Sequence, residues 1–318
     1  MQTRLLGATG LEVSAVGWGG AGITLYGGVA DDQVFATLDR ARELGVNYWD
    51  TAPLYGRGKS EELIGRYLSS MGGGIAPVVA TKVGYLPDGF DYSFDATMHC
   101  LEGSMRRLRL DHLPLVQIHD IEHSSLAFIM SRKGAYAALA RMKAEGVVGH
   151  IGVSGGPPDL LLEAIETREF ETVITHSRYT LLNTSAGERL IPRARELGIG
   201  VINGGPYATG ILATGPIAGA HVQYREAPAE VLEHVQTMQE FFAANGLELR
   251  EAALGLSLIN PGITVTIPGA RSPQELEDNV AVTEIDAADL KKILLAWREE
   301  EQQLQEAQRR AEEHDLGA

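Results

Sequence analysis

E-L-G-V-N-Y-W-D, at Glu43–Asp50, ends a helix and begins a buried strand. Similar helix-to-strand junctions occur as A-E-G-V at Ala144–Val147 and as E-L-G-I at Glu196–Ile199. In each copy a glycine closes the helix, because glycine adopts the left-handed conformation there without steric cost, and an apolar strand follows. A repeated helix-to-strand junction of this kind is typical of a parallel sheet whose strands alternate with helices.

Eight short segments rich in Val and Ile are predicted to be strands. They are apolar without strict alternation, as expected for strands that are buried on both faces. The eight segments are Val13–Gly17, Asn47–Thr51, Val78–Val83, Leu115–His119, Gly149–Ser154, Val173–Ser177, Gly200–Asn203 and Ile263–Ile267. Helical patterns separate them, and apolar runs on both sides of Gly7–Gly10 predict an N-terminal β-hairpin. The fold class is therefore α/β, and the even spacing favours a (β/α)8 TIM barrel over a doubly wound open sheet.

The chain of 318 residues is predicted to form a single barrel domain, 1–318, with a helical tail over 287–318. In the tail, Leu290, Ile293, Leu294 and Trp297 recur at helical spacing, so this stripe is expected to pack on the barrel. The remainder of the tail is almost wholly polar. It is interpreted as a solvated helix face, with a partner-binding coiled coil as the alternative.

Composition argues against several classes of function. The chain has 27 Lys and Arg against 42 Asp and Glu, a net charge of −15, which disfavours nucleic acid and anionic membrane surfaces as partners. Its one cysteine cannot form an internal disulfide, no Cys/His spacing suits zinc, and no apolar run is long enough to span a membrane. The expectation is a cytoplasmic enzyme acting on a small molecule, with its oligomeric state left open.

One glycine pattern invites a nucleotide-binding interpretation. Gly17, Gly19 and Gly22 match G-x-G-x-x-G, the fingerprint of dinucleotide-binding βαβ units. The residues that follow do not begin a helix, although the fingerprint needs a helix N-terminus to meet the pyrophosphate. We therefore expect a loop at the top of the first strand.

Polar side chains that suit proton transfer stand at three successive strand ends. Asp50 ends the second strand, Tyr55 follows in its loop, Lys82 lies near the end of the third strand and His119 ends the fourth. Each residue also has a simpler explanation when it is taken alone. Asp50 could cap the following loop, and Tyr55 could be an aromatic residue at the barrel rim. Lys82 could extend to solvent, and His119 could be a hydrogen-bonded core residue. Together they predict a catalytic site at the barrel mouth, with Tyr55 as general acid/base, Lys82 lowering its pKa, Asp50 holding Lys82, and His119 orienting the substrate oxygen.

These residues lie in motifs that resemble the aldo-keto reductase family. The motifs are N-Y-W-D-T-A-P-L-Y-G-R-G-K-S-E at Asn47–Glu61, A-T-K-V-G at Ala80–Gly84 and I-H-D at Ile118–Asp120. The resemblance implies a (β/α)8 barrel, a nicotinamide cofactor at the C-terminal mouth, and Asp50, Tyr55, Lys82 and His119 as the catalytic tetrad.

The resemblance also implies a cofactor site. Ser154 matches one member of a Ser-Asn pair that holds the carboxamide, Gly155 replaces the other, and His176 stands where the family has Gln. Gly269 and Glu275 replace cationic residues of NADP-using relatives, which favours NAD over NADP, although Arg271 could bind a 2′-phosphate. The remaining cofactor-binding candidates are Gly205, Pro206, Tyr207, Gly210, Leu212, Ile267, Asp278 and Asn279.

Further segments are similar to a subgroup of the family. They are G-F-D-Y-S-F-D at Gly89–Asp95, S-M-R-R-L-R-L-D at Ser104–Asp111, H-D-I-E at His119–Glu122 and G-P-Y-A-T-G-I-L at Gly205–Leu212. They resemble L-galactose dehydrogenases and L-fucose (D-threo-aldose) 1-dehydrogenases. The implied reaction is NAD-dependent oxidation of the anomeric carbon of an aldose to the lactone, and other aldehydes such as pyridoxal remain as alternative substrates.

Three rival functions are considered. His119, Asp120, Glu122 and His123 could form a metal site, but their order does not match the helical metalloprotease pattern, so no metal is expected. A regulatory subunit that binds the cofactor without turnover is disfavoured by the complete tetrad. Cys100 could be a nucleophile, but its mid-helix position predicts a packed and inert thiol.

Overall fold

The computed structural model describes residues 1–24, 28–73 and 76–316. Its strands alternate with helices through most of the chain. The strands are β1 Thr3–Leu5, β2 Glu12–Ser14, β3 Trp18–Gly19, β4 Tyr48–Asp50, β5 Val78–Val83, β6 Tyr85–Leu86, β7 Gly89–Phe90, β8 Leu113–Ile118, β9 Val148–Gly155, β10 Thr172–His176, β11 Gly200–Gly204, β12 His221–Val222, β13 Arg225–Glu226 and β14 Val265–Ile267.

A closed parallel sheet forms the centre of the molecule. Within the described ranges its eight strands run in the order β14-β11-β10-β9-β8-β5-β4-β3. Bridges from Val16 to Thr266 and from Gly19 to Gly269 join the first strand to the last, which closes the sheet into a barrel. The predicted (β/α)8 fold is confirmed.

The glycines at the three helix-to-strand junctions adopt the conformation that the sequence predicts. Gly45, Gly146 and Gly198 have φ values of 75°, 76° and 71°, in the left-handed region. This conformation ends each helix and turns the chain toward the next strand.

The first barrel strand lies further along the chain than Val13–Gly17, so that prediction is wrong. Val13 belongs to β2, which pairs antiparallel with β1 in the predicted N-terminal hairpin, and the barrel strand is Trp18–Gly19. At the barrel seam a Cβ on Gly19 would lie 3.1 Å from the carbonyl oxygen of Ile267. Gly17 and Gly19 of the G-x-G-x-x-G match therefore allow close strand packing, and among the described residues the next helix begins at Asp31.

The N-terminal hairpin closes the end of the barrel opposite the mouth. Leu6 and Val13 are fully buried and pack with the interior-facing residues Tyr48, Leu115 and Ile202. This end of the barrel is therefore filled with apolar side chains, and the polar site residues lie at the opposite end of the strands.

Helices surround the sheet. They are α1 Asp31–Glu43, α2 Lys59–Ser70, α3 Phe94–Leu108, α4 Leu126–Ile129, α5 Ala135–Ala144, α6 Pro158–Glu166, α7 Leu190–Glu196, α8 Ile211–Thr214, α9 Ala229–Ala244, α10 Leu249–Leu258, α11 Pro273–Ala281 and α12 Ala287–Leu316. Leu290, Leu294 and Trp297 of the tail helix α12 are buried, and the Trp297 ring lies 5.3 Å from that of Phe241 on α9. In the described part of the chain, no helix combines the length and apolarity that crossing a membrane requires.

Candidate active site

The barrel brings the four predicted site residues together at its mouth. Asp50 ends β4, Lys82 lies in β5, His119 directly follows β8, and Tyr55 comes from the loop after β4. Lys82 Nζ donates hydrogen bonds to Asp50 Oδ1 at 2.5 Å and to Tyr55 Oη at 3.1 Å. The Tyr55 and His119 rings meet edge to face, with centroids 6.0 Å apart.

The Asp50–Lys82 ion pair is almost completely buried. Both side chains are 3% exposed, and the Thr51 carbonyl accepts a further hydrogen bond from Lys82 Nζ at 3.0 Å. Burial raises the pKa of the Asp50 carboxyl, and Lys82 offsets part of that rise. A buried pair of this kind holds Lys82 in a single position beneath the tyrosine oxygen.

The electrostatics of Tyr55 differ from the expectation that Lys82 lowers its pKa. Burial raises the pKa of the Tyr55 phenol well above its usual range, and the negative charge of Asp50 adds to the effect. Because Asp50 lies against the Lys82 ammonium, the pair presents little net positive charge to the phenol. The phenol is therefore harder to ionise than a free tyrosine, and its oxygen accepts the hydrogen bond from Lys82 Nζ.

His119 is also neutral, and burial is again the main cause. Burial lowers the pKa of His119 to about 3, and the nearby Asp120 carboxylate compensates only in part. A neutral imidazole can donate one hydrogen bond to a substrate oxygen without carrying a charge itself.

The neutral state of His119 predicts how stability depends on pH. Its folded pKa lies below the unfolded value of about 6.5, so stability is lost as the pH falls from about 6.5 toward 3. Between about pH 7 and 5, His119→Gln should lose about 1–2 kcal/mol less unfolding free energy than the wild type. Urea denaturation at both pH values measures this difference. Equal losses in the two proteins would contradict a buried neutral histidine.

Sequence reasoning missed Tyr92 and the role of Asp120 at the end of β8. The Tyr92 hydroxyl donates to the carbonyl oxygens of His119 at 2.8 Å and of Asp120 at 2.7 Å. The Asp120 N–H donates to Ser154 Oγ at 3.1 Å. The strand-end position of Asp120, next to a predicted catalytic histidine, was the available signal.

An aromatic wall stands beside His119. The Tyr85 ring lies 5.4 Å from His119, the Phe90 ring packs 4.1 Å from Tyr85, and His123 stacks on Phe90 at 3.6 Å. The wall comes from the β6–β7 hairpin and the turn after β8.

The expected carboxamide site is only partly preserved. Ser154 is buried at the end of β9 and accepts the Asp120 hydrogen bond, whereas a Cβ on Gly155 would lie 2.7 Å from Glu122 Oε2. A Cβ on Gly204 would lie 3.2 Å from the Cβ of His176, so the glycine leaves room for this imidazole.

The predicted adenosine end forms a second polar cluster. Tyr207 Oη donates to Asn279 Oδ1 at 2.6 Å, which ties the loop after β11 to α11. Glu275 Oε2 accepts the Arg271 N–H at 2.8 Å, and Arg271 Nε is buried with no protein partner among the described residues. The other predicted positions flank this cluster or the loop, with Pro206, Leu212 and Ile267 buried, Tyr207, Gly210 and Asp278 half-buried, and Gly205 and Gly269 exposed.

The structure shows where the residues of the alternative metal site and the alternative cysteine nucleophile lie. His123 stacks on Phe90, whereas Asp120, Glu122 and His176 place one potential ligand atom each within 4.8 Å of one another. Cys100 is buried in α3, where burial raises its pKa to about 12. Such a thiol is a poor nucleophile, as predicted.

Comparison with known proteins identifies the family. The model of the aldo/keto reductase family matches residues 15–296, nearly the whole chain. This chain belongs to the aldo/keto reductase family. As a member, it is an oxidoreductase that uses a nicotinamide dinucleotide. Among the described residues no protein group accepts the buried Nε–H of Arg271, and this free donor fits an oxygen of such a cofactor.

Individual relatives of this aldo/keto reductase include several sugar and aldehyde dehydrogenases. It is 33% identical to L-galactose dehydrogenase of Arabidopsis thaliana, with 90% of each chain covered. It is 28% identical to D-threo-aldose 1-dehydrogenase of a Pseudomonas species (88% and 93% covered) and 27% identical to pyridoxal 4-dehydrogenase of Microbacterium luteolum (88% and 92% covered). Among solved structures, the holo form of an aldo-keto reductase from Bacillus halodurans matches with a TM-score of 0.77 at 26% identity, covering 92% of this chain and 96% of that one.

Proposed function

We propose that this aldo/keto reductase oxidises the anomeric carbon of an aldose of the L-galactose or L-fucose type to the lactone, with NAD as cofactor. The observation that carries the chemistry is the 3.1 Å hydrogen bond between Lys82 Nζ and Tyr55 Oη beside His119. The substrate class rests on similarity to L-galactose and D-threo-aldose dehydrogenases. We also propose a cytoplasmic location and a small-molecule sugar as the substrate, with neither nucleic acid nor a membrane as partner.

Tyr55 and His119 divide the work on the anomeric hydroxyl. His119 donates a hydrogen bond to the substrate oxygen and orients it, and Tyr55 Oη exchanges the proton with that oxygen. The bound nicotinamide supplies the hydride acceptor. Lys82 remains protonated and stabilises the charge that develops on the phenolic oxygen as its proton moves.

The protonation state of Tyr55 determines how the rate of oxidation depends on pH. Oxidation needs Tyr55 to accept a proton, and a raised pKa means that the phenolate able to do so is scarce near neutral pH. Aldose oxidation should therefore become faster as the pH rises above neutrality, because the phenolate fraction increases.

The preference for NAD rests on charge at the adenosine end. The Glu275 carboxylate lies against the Arg271 main chain, so a ribose 2′-phosphate near Arg271 would approach a negative charge. A free 2′-hydroxyl meets no such repulsion and can donate to the carboxylate.

A panel of aldoses with NAD⁺ and NADP⁺, followed by absorbance of the reduced cofactor, tests the function. We expect turnover of L-galactose or L-fucose, a lactone product, and a kcat/KM with NAD⁺ at least about 10-fold above that with NADP⁺, as one unfavourable charge contact of about 1.4 kcal/mol would give. D-Glucose, which differs in ring configuration, is the substrate control. No aldose oxidation with either cofactor would refute the proposal.

A second candidate activity is the conversion of another aldehyde, such as pyridoxal, because the pyridoxal 4-dehydrogenase relative covers nearly the same length of chain. Turnover of pyridoxal without turnover of aldoses would favour it. Tight cofactor binding with no turnover of either substrate class would instead favour a regulatory subunit.

A further inference from the structure

Asp120 lies beside the catalytic tetrad in a fixed backbone conformation that proton transfer by the tetrad does not require. Its backbone is left-handed, with φ 46° and ψ 65°, a conformation that is uncommon outside glycine. Hydrogen bonds to Ser154 and from Tyr92 hold its N–H and its carbonyl oxygen. Backbone strain that the surroundings hold in place is characteristic of functional sites.

The held backbone aims the Asp120 carboxylate at the reacting centre. Oδ1 lies 3.3 Å from Nε2 of His176 and 3.9 Å from Nε2 of His119. Although burial acts to raise it, the pKa of Asp120 is lowered to about 2, chiefly because the His176 imidazole interacts with the ionised form, with a contribution from Lys82. A fixed negative charge therefore lies beside the site of the substrate oxygen.

We propose that Asp120 is a specificity-determining residue that accepts a hydrogen bond from a hydroxyl on the carbon next to the reacting carbon. This inference rests on the proposed function and narrows its substrates to compounds with that adjacent hydroxyl. The position is argued from the 3.9 Å between Asp120 Oδ1 and the His119 Nε2 that would orient the reacting oxygen, a separation that the hydroxyls of two adjoining carbons can span.

The neighbourhood of Asp120 suits a sugar. The half-buried Tyr85, with its ring 5.4 Å from that of His119, puts an aromatic side chain beside a charged acceptor for sugar hydroxyls. Charge-assisted hydrogen bonds to substrate hydroxyls contribute about 1.5–3 kcal/mol, enough for roughly 10- to 150-fold discrimination against an analogue that lacks the hydroxyl.

Glu122, the nearest other acid, is a poorer candidate for the same role. Its Oε1 accepts the Gly156 N–H at 2.9 Å, and its Oε2 is buried and closed to solvent. The Asp120 side chain keeps 17% of its surface exposed, so a substrate can reach it.

The experiment compares L-fucose with 2-deoxy-L-fucose in the wild type, Asp120→Asn and Asp120→Gly. Asn keeps the shape and tolerates the left-handed backbone, and Gly adopts it freely, so both variants remove the charge without adding strain. Asp159→Asn, a surface acid with a side chain 85% exposed, is the matched control. For each protein, kcat/KM for both sugars and the Kd for NADH by fluorescence titration are measured.

We expect the wild type to prefer L-fucose by at least about 10-fold, and each Asp120 variant to lose most of that preference through L-fucose alone. The Kd for NADH should change less than about 2-fold, a shift below about 0.5 kcal/mol. An equal loss for both sugars would overturn the proposal in favour of positioning of His119. A large change in NADH affinity, activity that depends on a chelatable metal, or a wild type blind to the hydroxyl would also overturn it.

Failure of the proposed function is distinguishable from failure of this inference. If no aldose is oxidised, the function is wrong, and the same variants are compared in the reductive direction with lactaldehyde and propionaldehyde. These two aldehydes differ only in the adjacent hydroxyl. A preference for lactaldehyde that disappears in both variants would still support the role of Asp120, and no preference in the wild type would refute it.

Discussion

Tyr55→Phe is expected to lower kcat for substrate oxidation at least about 10²-fold, because it removes the only atom of the side chain that exchanges the proton. The phenolic oxygen accepts the Lys82 Nζ hydrogen bond at 3.1 Å, and the phenylalanine ring fills nearly the same volume. Stopped-flow single-turnover measurements with saturating cofactor isolate the chemical step from product release.

The control for this substitution is a tyrosine outside the site. Tyr136→Phe removes a surface hydroxyl that pairs with Glu169, so it tests the general cost of losing a phenol. We expect near-normal kcat in Tyr136→Phe, and in Tyr55→Phe an unchanged melting temperature and Kd for NADH. Wild-type turnover by Tyr55→Phe would remove Tyr55 from the mechanism.

The sequence was most informative where chemistry and strand ends coincide. Lys82 and His119 interrupt apolar runs, and placing a cation or an imidazole there is costly without partners, so a polar site at their strand ends could be predicted. The pKa of Tyr55 could not be predicted, because it depends on how closely Asp50 neutralises Lys82 and how deeply the phenol is buried. Both are properties of packing.

Predictions that depend on contacts between distant parts of the chain were less accurate. The first barrel strand was misplaced because Trp18–Gly19 carries no β-type pattern and is fixed by its neighbours β4 and β14. The contact of Asp120 with His176 joins residues far apart in the chain, because Asp120 follows β8 and His176 ends β10, two strands that are separated in the sheet by β9. Only the closed barrel brings such residues together.

Lys82→Met is expected to abolish activity and to destabilise the fold by about 3–5 kcal/mol, because it leaves the Asp50 carboxylate buried without its cation. In the wild type that carboxylate is 3% exposed, with Lys82 Nζ at 2.5 Å from Oδ1. Guanidinium unfolding measures the stability, and the measured loss separates a buried charge from a surface pair, which contributes about 0–1 kcal/mol.

The sign of the pH dependence tests the cause of that loss. Without Lys82 the folded pKa of Asp50 lies above the unfolded value of about 3.9, so the penalty is absent below about that pH and grows as the pH rises toward the folded pKa. The stability deficit of Lys82→Met should therefore be smaller at about pH 5 than at about pH 8. A deficit that does not change with pH would indicate lost packing of the lysine stem.

Removing both charges separates stability from catalysis. The double variant Asp50→Asn/Lys82→Met has no buried charge to solvate, so it should recover more than half of the stability lost in Lys82→Met. Its activity should remain low, because no cation then stabilises the negative charge that develops on the Tyr55 oxygen. Recovery of stability and activity together would mean that the ion pair serves the fold alone. Recovery of stability without activity would show that catalysis needs the charge of Lys82, because methionine then fills the same buried position without supplying a cation.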